Sequence, residues 1–415
     1  MLQTRRDFLQ AALGTSTLMS LGSVVPDFLV RSATAAARRD DRDTVLVVIQ
    51  LTGGNDGLNT VVPYADDEYD RNRTTLRLPT NDLHKIDSLL GFHPRMQAFQ
   101  RLYQDGYLSI VQGAGSPISD QNHERAMRMW HTADPQRPQR QTGWLGRVVD
   151  GVWNLGKPDT TAVFVGPIPR PFALNAENVV VPSLRSVEDL REHVGWAVPT
   201  IPRPYSGESV GTAHPTDSAL LQFMRQSSQD ARARSERIEA TIKTPGGDYP
   251  PFGLARDLRT VAQLIRADIG IRIFFAELGG GGLGGFDNHA NQLGNHCALL
   301  NQLAESVAAF IYDLKRDQQL DRVLLMTFSE FGRTVKENGR RGTDHGAAAP
   351  MFLAGGRVKG GLVGPHPSLT DLDKGALKVH TDFRRVYATA LDRWLGFASE
   401  PVLGGRFEPL DILKA

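Results

Sequence analysis

Cysteine is almost absent from this sequence. The 415 residues contain one, Cys297, so no internal disulfide can form and the fold has to be held by packing, with bound metal as the other available means. Cys297 falls on an apolar helical stretch and reads as a small buried hydrophobe. An excess of charge of either sign is also missing. The 47 Lys and Arg against 46 Asp and Glu leave a formal net charge of +1, which indicates no polyelectrolyte partner. Nucleic-acid binding would need a basic stripe interleaved with aromatics, whereas Arg38-Arg39-Asp40-Asp41-Arg42-Asp43 is a short mixed run. No internal repeat and no low-complexity linker is present, so nothing points to a repeat architecture.

A long unbroken apolar run is lacking as well. The weakly apolar stretch Ala11–Val30 is interrupted by Gly22, Pro26 and Asp27, which argues against a stable membrane span after processing. It follows Thr4-Arg5-Arg6-Asp7-Phe8-Leu9 and precedes Ala33-Thr34-Ala35-Ala36-Ala37. That order of charged region, apolar region and small-residue cleavage site, with paired arginines, is the mark of the bacterial Tat route. Residues 1–37 are expected to be removed, the Tat export machinery is an expected partner, and the mature chain 38–415 is expected to be periplasmic or secreted. Tat substrates cross the membrane folded, often with a metal or cofactor already loaded, and a lack of disulfides fits that history.

What is present is a recurring α/β pattern. Val45–Ile49 (VLVVI) is too short for an ordinary helix and rich in β-branched residues, so it reads as a strand buried on both faces. Met96, Phe99 and Leu102 at helical spacing lead into a strand at Leu108–Val111, and the three elements read as a βαβ unit. From Gly151 to about Pro251 the sequence is proline-rich and reads as an insertion or cap over one sheet edge, with one polar helix at about Asp217–Ile242. The pattern then resumes. A helix over Leu254–Ile269, closed by Gly270, leads to a strand at Ile271–Glu277 and a glycine run, Gly279–Gly285. A long amphipathic helix marked by Leu299, Leu303, Val307, Phe310 and Leu314 follows, and then a strand at Val323–Phe328. The fold class is α/β with a mainly parallel sheet.

In such a sheet, ligands bind beyond the carboxyl ends of the strands. Asp56, His123, Asp287, His289, Glu330, Asp344 and His345 all fall there, separated in sequence by scaffold. Carboxylates and imidazoles without thiolate suit Zn²⁺, Mn²⁺, Mg²⁺ or Ca²⁺, and two such ions close together are built for displacement at phosphorus or sulfur. Ser119 and Asp120 read as N-caps of the helix that carries His123, and a serine nucleophile at Ser119 is the sharper alternative.

The twin-arginine signal, LTGGNDGLNTVVPY, FDNHANQ, FSEFGRTVKENGRRGTDHG and TDFRRVYATALDRWLG together resemble the bacterial family known as domain of unknown function 1501. The resemblance covers nearly all of the mature chain except the middle insertion. It implies the alkaline phosphatase and sulfatase superfamily, a three-layer α/β/α sandwich with a metal site at the strand ends. On that resemblance Asp56 is the acidic ligand after the first strand, Asp287 and His289 supply one metal, and Glu330, Asp344 and His345 complete the site. Order alone leaves open whether Glu330 or Asp344 replaces the superfamily's usual Asp-His pair. The family commonly has Ser-His-Phe where this chain has Asn122-His123-Glu124, so the hydroxyl expected at that helix start is absent unless Ser119 substitutes. The expected function is an exported metal-dependent hydrolase of phosphate or sulfate esters, with Arg333 or His123 steadying charge on the equatorial oxygens. The alternative is a catalytically silent exported protein that binds an anionic glycan or a partner protein.

Overall fold

A computed structural model describes residues 43–154, 161–187, 236–237, 239–241, 243, 246–280 and 285–414. The signal segment 1–37, most of the helix expected at Asp217–Ile242 and part of the glycine run lie outside the described residues. The elements that build the main sheet are β1 (Val45–Leu51), β2 (Leu108–Gly115), β3 (Thr161–Val165), β4 (Ser183–Leu184), β5 (Ile271–Leu278), β6 (Val323–Phe328), β7 (Ala349–Gly355), β8 (Gly361–Val363) and β9 (Thr381–Asp382). They lie in the order β8-β2-β7-β6-β1-β5-β3-β4, with β9 also on β2. Every pairing is parallel except those of β7, which runs antiparallel between β2 and β6. Residues 161–165 and 183–184, which fall within the expected insertion, join the sheet as β3, next to β5, and β4, at its edge.

The helices include α1 (Gln97–Gln104), α2 (His123–Thr132), α3 (Trp144–Asn154), α4 (Gly253–Ala267), α5 (Gln292–Arg316) and α6 (Phe383–Ala388), and further short helices lie at Asp67–Asn72 and Ser399–Leu403. Alternation along β1 decides the layers, because successive strand side chains point to opposite faces. Val45, Val47 and Ile49 pack with Phe99 and Leu102 of α1, Leu258 and Val261 of α4, and Leu303 and Val307 of α5. Leu46 and Val48 pack on the other side with Trp130 of α2, Trp144 of α3 and Tyr387 of α6. The result is the expected three-layer α/β/α sandwich.

Two expectations about local structure are corrected. β1 and β2 share the sheet and run the same way, but β6 and β7 stand between them, so β1, α1 and β2 are not a βαβ unit of neighbouring strands. The helix carrying His123 begins later than expected. Its N-cap is Asn122, whose side chain accepts from the Arg125 amide at 3.0 Å, while Asp120 accepts from the Asn122 amide at 2.9 Å. Ser119 is exposed and outside the helix.

Candidate metal centre

The site is assembled where β1, β5 and β6 end. β1 gives way to Gly53 and Gly54, whose φ angles of +115° and +80° lie in the region that glycine adopts without steric cost. A Cβ on Gly53 would stand 2.5 Å from the Asp287 amide nitrogen, and one on Gly54 would run into the Phe331 ring. This bare backbone lets the loop after β5 lie directly on the loop after β1. Phe286 N donates to Thr52 O at 2.8 Å, which fixes the residue preceding Asp287.

Arg333 ties the loops together. It is buried, with Nε donating to Gly54 O at 2.7 Å and Nη1 to Thr343 O at 3.0 Å. Its Nη2 donates to Gly53 O, to Phe286 O at 3.1 Å and to Asp287 Oδ1 at 2.7 Å. A guanidinium so fully committed to carbonyls and one carboxylate is a clamp rather than the anion-steadying group expected from the sequence.

Three imidazoles converge on Asp287. His289 Nε2 lies 3.0 Å and His345 Nε2 3.2 Å from Asp287 Oδ1, and His123 Nε2 lies 3.4 Å from Oδ2. The far side of each ring is already engaged. His123 Nδ1 donates to Glu330 Oε1 at 2.9 Å, His289 Nδ1 to Asp344 Oδ1 at 3.3 Å and His345 Nδ1 to the Gln121 carbonyl at 2.6 Å. A carbonyl or carboxylate can only accept, so each Nδ1 carries a proton; each Nε2 points inward, where it donates to Asp287 while the ring is protonated and offers a lone pair to a cation once the ring is neutral. His289 Nε2 and His345 Nε2 are only 2.9 Å apart, and two facing lone pairs at that distance require a proton or a cation between them. Ligands placed tetrahedrally at about 2.0–2.1 Å from an ion stand roughly 3.3–3.4 Å apart, close to the separations found. Among the described residues, His123, Asp287 and His345 form the group whose ligand atoms all lie within 4.8 Å of one another, and His289 is not part of it. Outward acceptors on ligating histidines also match the usual arrangement around metal-bound imidazole.

The electrostatics follow the contacts. Burial would raise the Asp287 pKa, but hydrogen bonds from Arg333 and His345 outweigh it and hold the carboxyl at about 2. His123 is pushed up, chiefly by its hydrogen bond to Glu330, whereas burial pushes His345 down. Asp344 is lowered, chiefly by the hydrogen bond from Asn338.

Of the six expected metal ligands, Asp287, His289 and His345 come together, joined by His123. Glu330 is placed behind His123 instead: it is buried, and it accepts from the Gly53 amide at 2.9 and 3.1 Å and from Ser329 Oγ at 3.2 Å. Asp344 stands behind His289 and accepts from Asn338 at 3.0 Å. Asp56 is committed elsewhere. It is buried, with Oδ2 accepting from Arg73 Nη1 and Gln292 Nε2, each at 2.5 Å, and Oδ1 from Arg73 Nη2 at 2.9 Å. Burial raises its pKa and the Arg73 charge outweighs this, leaving about 2. Asp56 is thus half of a buried ion pair and not a ligand. Ser119, the candidate nucleophile, makes no hydrogen bond to the cluster. Sequence reasoning missed Arg73, Gln292, Asn338 and the Gln121 carbonyl; Gln292 and Asn338 sit inside the quoted motifs FDNHANQ and TVKENGRRGTDHG, which was the one available signal.

A family model described as protein of unknown function (DUF1501) matches residues 43–400. The chain belongs to the DUF1501 family. No curated protein matches this DUF1501 chain. Among solved structures, it is similar to the lipoteichoic acid synthase LtaP from Listeria monocytogenes at 11% identity and a TM-score of 0.33, covering 84% of this chain and 76% of that one. The PsFucS1 sulfatase from Pseudoalteromonas sp. is similar at 11% identity and a TM-score of 0.40, covering 93% and 75%. A protein in the alkaline phosphatase superfamily from Vibrio parahaemolyticus is similar at 10% identity and a TM-score of 0.33, covering 81% and 69%.

Proposed function

We propose that this DUF1501 protein is an exported hydrolase of phosphate or sulfate esters that depends on one divalent ion and uses no protein nucleophile. The observation that carries the reading is the convergence of three imidazole Nε2 atoms on Asp287, each with its Nδ1 already engaged. A bound ion supplies Lewis-acid polarisation of an ester oxygen and a lowered pKa for water. The nitrogen-rich donor set favours Zn²⁺ over Mn²⁺, Mg²⁺ and Ca²⁺, which prefer oxygen. One ion rather than two is supported because the Asp56 carboxylate is occupied by Arg73 and the Glu330 carboxylate by Gly53 and His123.

Within the site, Glu330, Asp344 and the Gln121 carbonyl orient the imidazoles, and Arg333 holds Asp287 in place. Asn122 spends its side chain on the helix cap, and Ser119 is exposed. Water therefore attacks phosphorus or sulfur directly. Its oxygen forms the new bond, the ester alcohol leaves with the old one, and protons from water end on the alcohol and the released anion. Delivery outside the cytoplasm by the Tat machinery rests on Arg5, Arg6 and the segment behind them. Among the described residues no helix is long and apolar enough to cross a membrane.

The test is metal analysis of the mature protein together with turnover of p-nitrophenyl phosphate, bis(p-nitrophenyl) phosphate and p-nitrophenyl sulfate, with and without chelator. About one ion per chain and chelator-sensitive turnover of at least one ester are expected. Absence of metal, or turnover indifferent to chelator, overturns the reading. Asn122 in place of a hydroxyl favours a second reading, a silent binder of an anionic glycan or a partner protein, and metal without turnover would support it.

A further inference from the structure

A cavity of about 790 Å³ opens beside the metal centre, bounded by α4, α5 and the ends of β3 and β5. That volume is in the range of about 300–1,000 Å³ usual for small-molecule sites. The cavity and the centre share a wall. Gly285 lines the cavity two residues before Asp287, and Asn295, also in the lining, donates to Gly285 O and to Asn288 Oδ1, both at 2.8 Å. Glu277, at the end of β5, lines it too and accepts from Thr52 Oγ1 at 2.5 Å.

The lining contains a group the fold does not use. Asp257 on α4 is only 7% exposed, yet its carboxyl makes no hydrogen bond and no ion pair. The little exposure that Asp257 keeps is at its carboxyl oxygens, which meet the cavity rather than a protein donor, and a carboxyl so largely buried is unfavourable until a partner completes it. Burial pushes Asp257 up to about 7, so near neutral pH it can offer an O–H as well as a carbonyl oxygen. The side-chain amides of Gln263 on α4 and Gln302 on α5 face the same cavity, and neither makes a hydrogen bond within the described residues. Leu254 and Leu299 add apolar surface between these polar groups. Groups that can both donate and accept, set around an apolar floor with Arg185, Arg256 and Arg259 also in the lining, match a molecule dense in hydroxyls that can carry acidic groups rather than a hydrocarbon.

We infer that this cavity binds a saccharide, the hydroxyl-rich part of the ester whose phosphate or sulfate group is presented to the metal centre. The inference rests on the ester-hydrolase reading and names the group that carries the ester. Asp257, Gln263 and Gln302 are then binding residues that hold hydroxyl groups and take no part in the chemical step.

Binding is measured by saturation-transfer NMR on the mature protein with galactose, fucose, N-acetylglucosamine and glucuronate in turn, first with chelator present and then with Zn²⁺ restored. At least one saccharide should bind under both conditions. Asp257→Leu should weaken that binding at least 10-fold. Gln302→Leu, on a different helix, should weaken it several-fold and serves if the first variant does not fold. No binding by any of the four, or binding that both folded variants retain in full, overturns the inference. The two readings separate cleanly: saccharide binding without turnover of any ester removes the hydrolase and leaves the cavity assignment, whereas ester turnover with no saccharide bound does the reverse.

Discussion

Replacing His345 by alanine removes one of the three imidazoles facing Asp287 while leaving the apolar layers untouched. His345→Ala should therefore lose bound metal and ester turnover together, and the variant should melt at the temperature of chelated wild type. The margin to be lost is set by mass action, about 2.7 kcal/mol when free metal stands at 100 times its Kd. Metal stoichiometry and melting curves with and without chelator check this; full metal content in a destabilised variant would make His345 a packing residue. Asp344 stands one step further back. Its side chain is 60% exposed and holds His289 through Nδ1, so Asp344→Ala should leave stability nearly unchanged and weaken metal binding about 10–100-fold, measured against a competing chelator. Arg73→Met should behave in the opposite way. It leaves the Asp56 carboxylate buried without its cation, which costs on the order of 3–5 kcal/mol. Denaturant unfolding should register that loss, while metal content in the folded fraction stays as in wild type.

At the scale of elements, the turn after β1 is the critical joint. Gly53→Ala would place a methyl group 2.5 Å from the Asp287 amide in a backbone conformation that L residues rarely adopt. It should lower both melting temperature and metal affinity, and a variant matching wild type in both would show that the two loops can separate without consequence. The same joint separates what the residues announce from what they conceal. The strands read at Val45–Ile49, Ile271–Glu277 and Val323–Phe328 were legible because a strand buried on both faces needs a near-continuous apolar run, and the long helix α5 because its apolar residues keep a helical period. Strand order was not legible, since β7 inserts between β2 and β6 through pairings that no local pattern encodes. Within the site, the residues with site chemistry were visible but their ranks were not. Asp56 and Asp287 both follow a strand end; only the three-dimensional approach of Arg73 removes the first, and only the approach of three histidines singles out the second. Asn122 was read as the absence of a hydroxyl, although Asn is among the strongest N-caps.

For the whole molecule, three buried histidines away from the candidate metal centre make stability depend on acid, and the raised Asp257 offsets part of their effect. Burial holds His93 and His131 at about 3 and His296 at about 4, against an ordinary 6.5. A depressed folded pKa means that the unfolded chain takes up protons first, so this stability is complete above about pH 6.5 and is lost progressively as pH falls from there to about 4 for His296 and about 3 for His93 and His131. The slope is at most roughly 1.4 kcal/mol per pH unit for each histidine. Thermal melts of chelated protein from pH 7.5 down to 4.5 should show a steady decline, and a flat profile would mean that these rings find acceptors when charged. Export is tested at the same scale: Arg5→Lys with Arg6→Lys should trap the full-length precursor in the cytoplasm, and normal processing of that double variant would exclude the Tat route. The position of β1 bears on the timing of that export. β1, the first strand among the described residues, finds its two neighbours only when Ile271–Leu278 and Val323–Phe328 have been made, so a nascent fragment ending before β5 lacks both of these partners. Until then a wholly apolar strand waits with both edges open, an invitation to aggregation. A folding order dominated by such distant pairings is slow, and any step that requires the finished fold has to wait until nearly the entire chain has been synthesised.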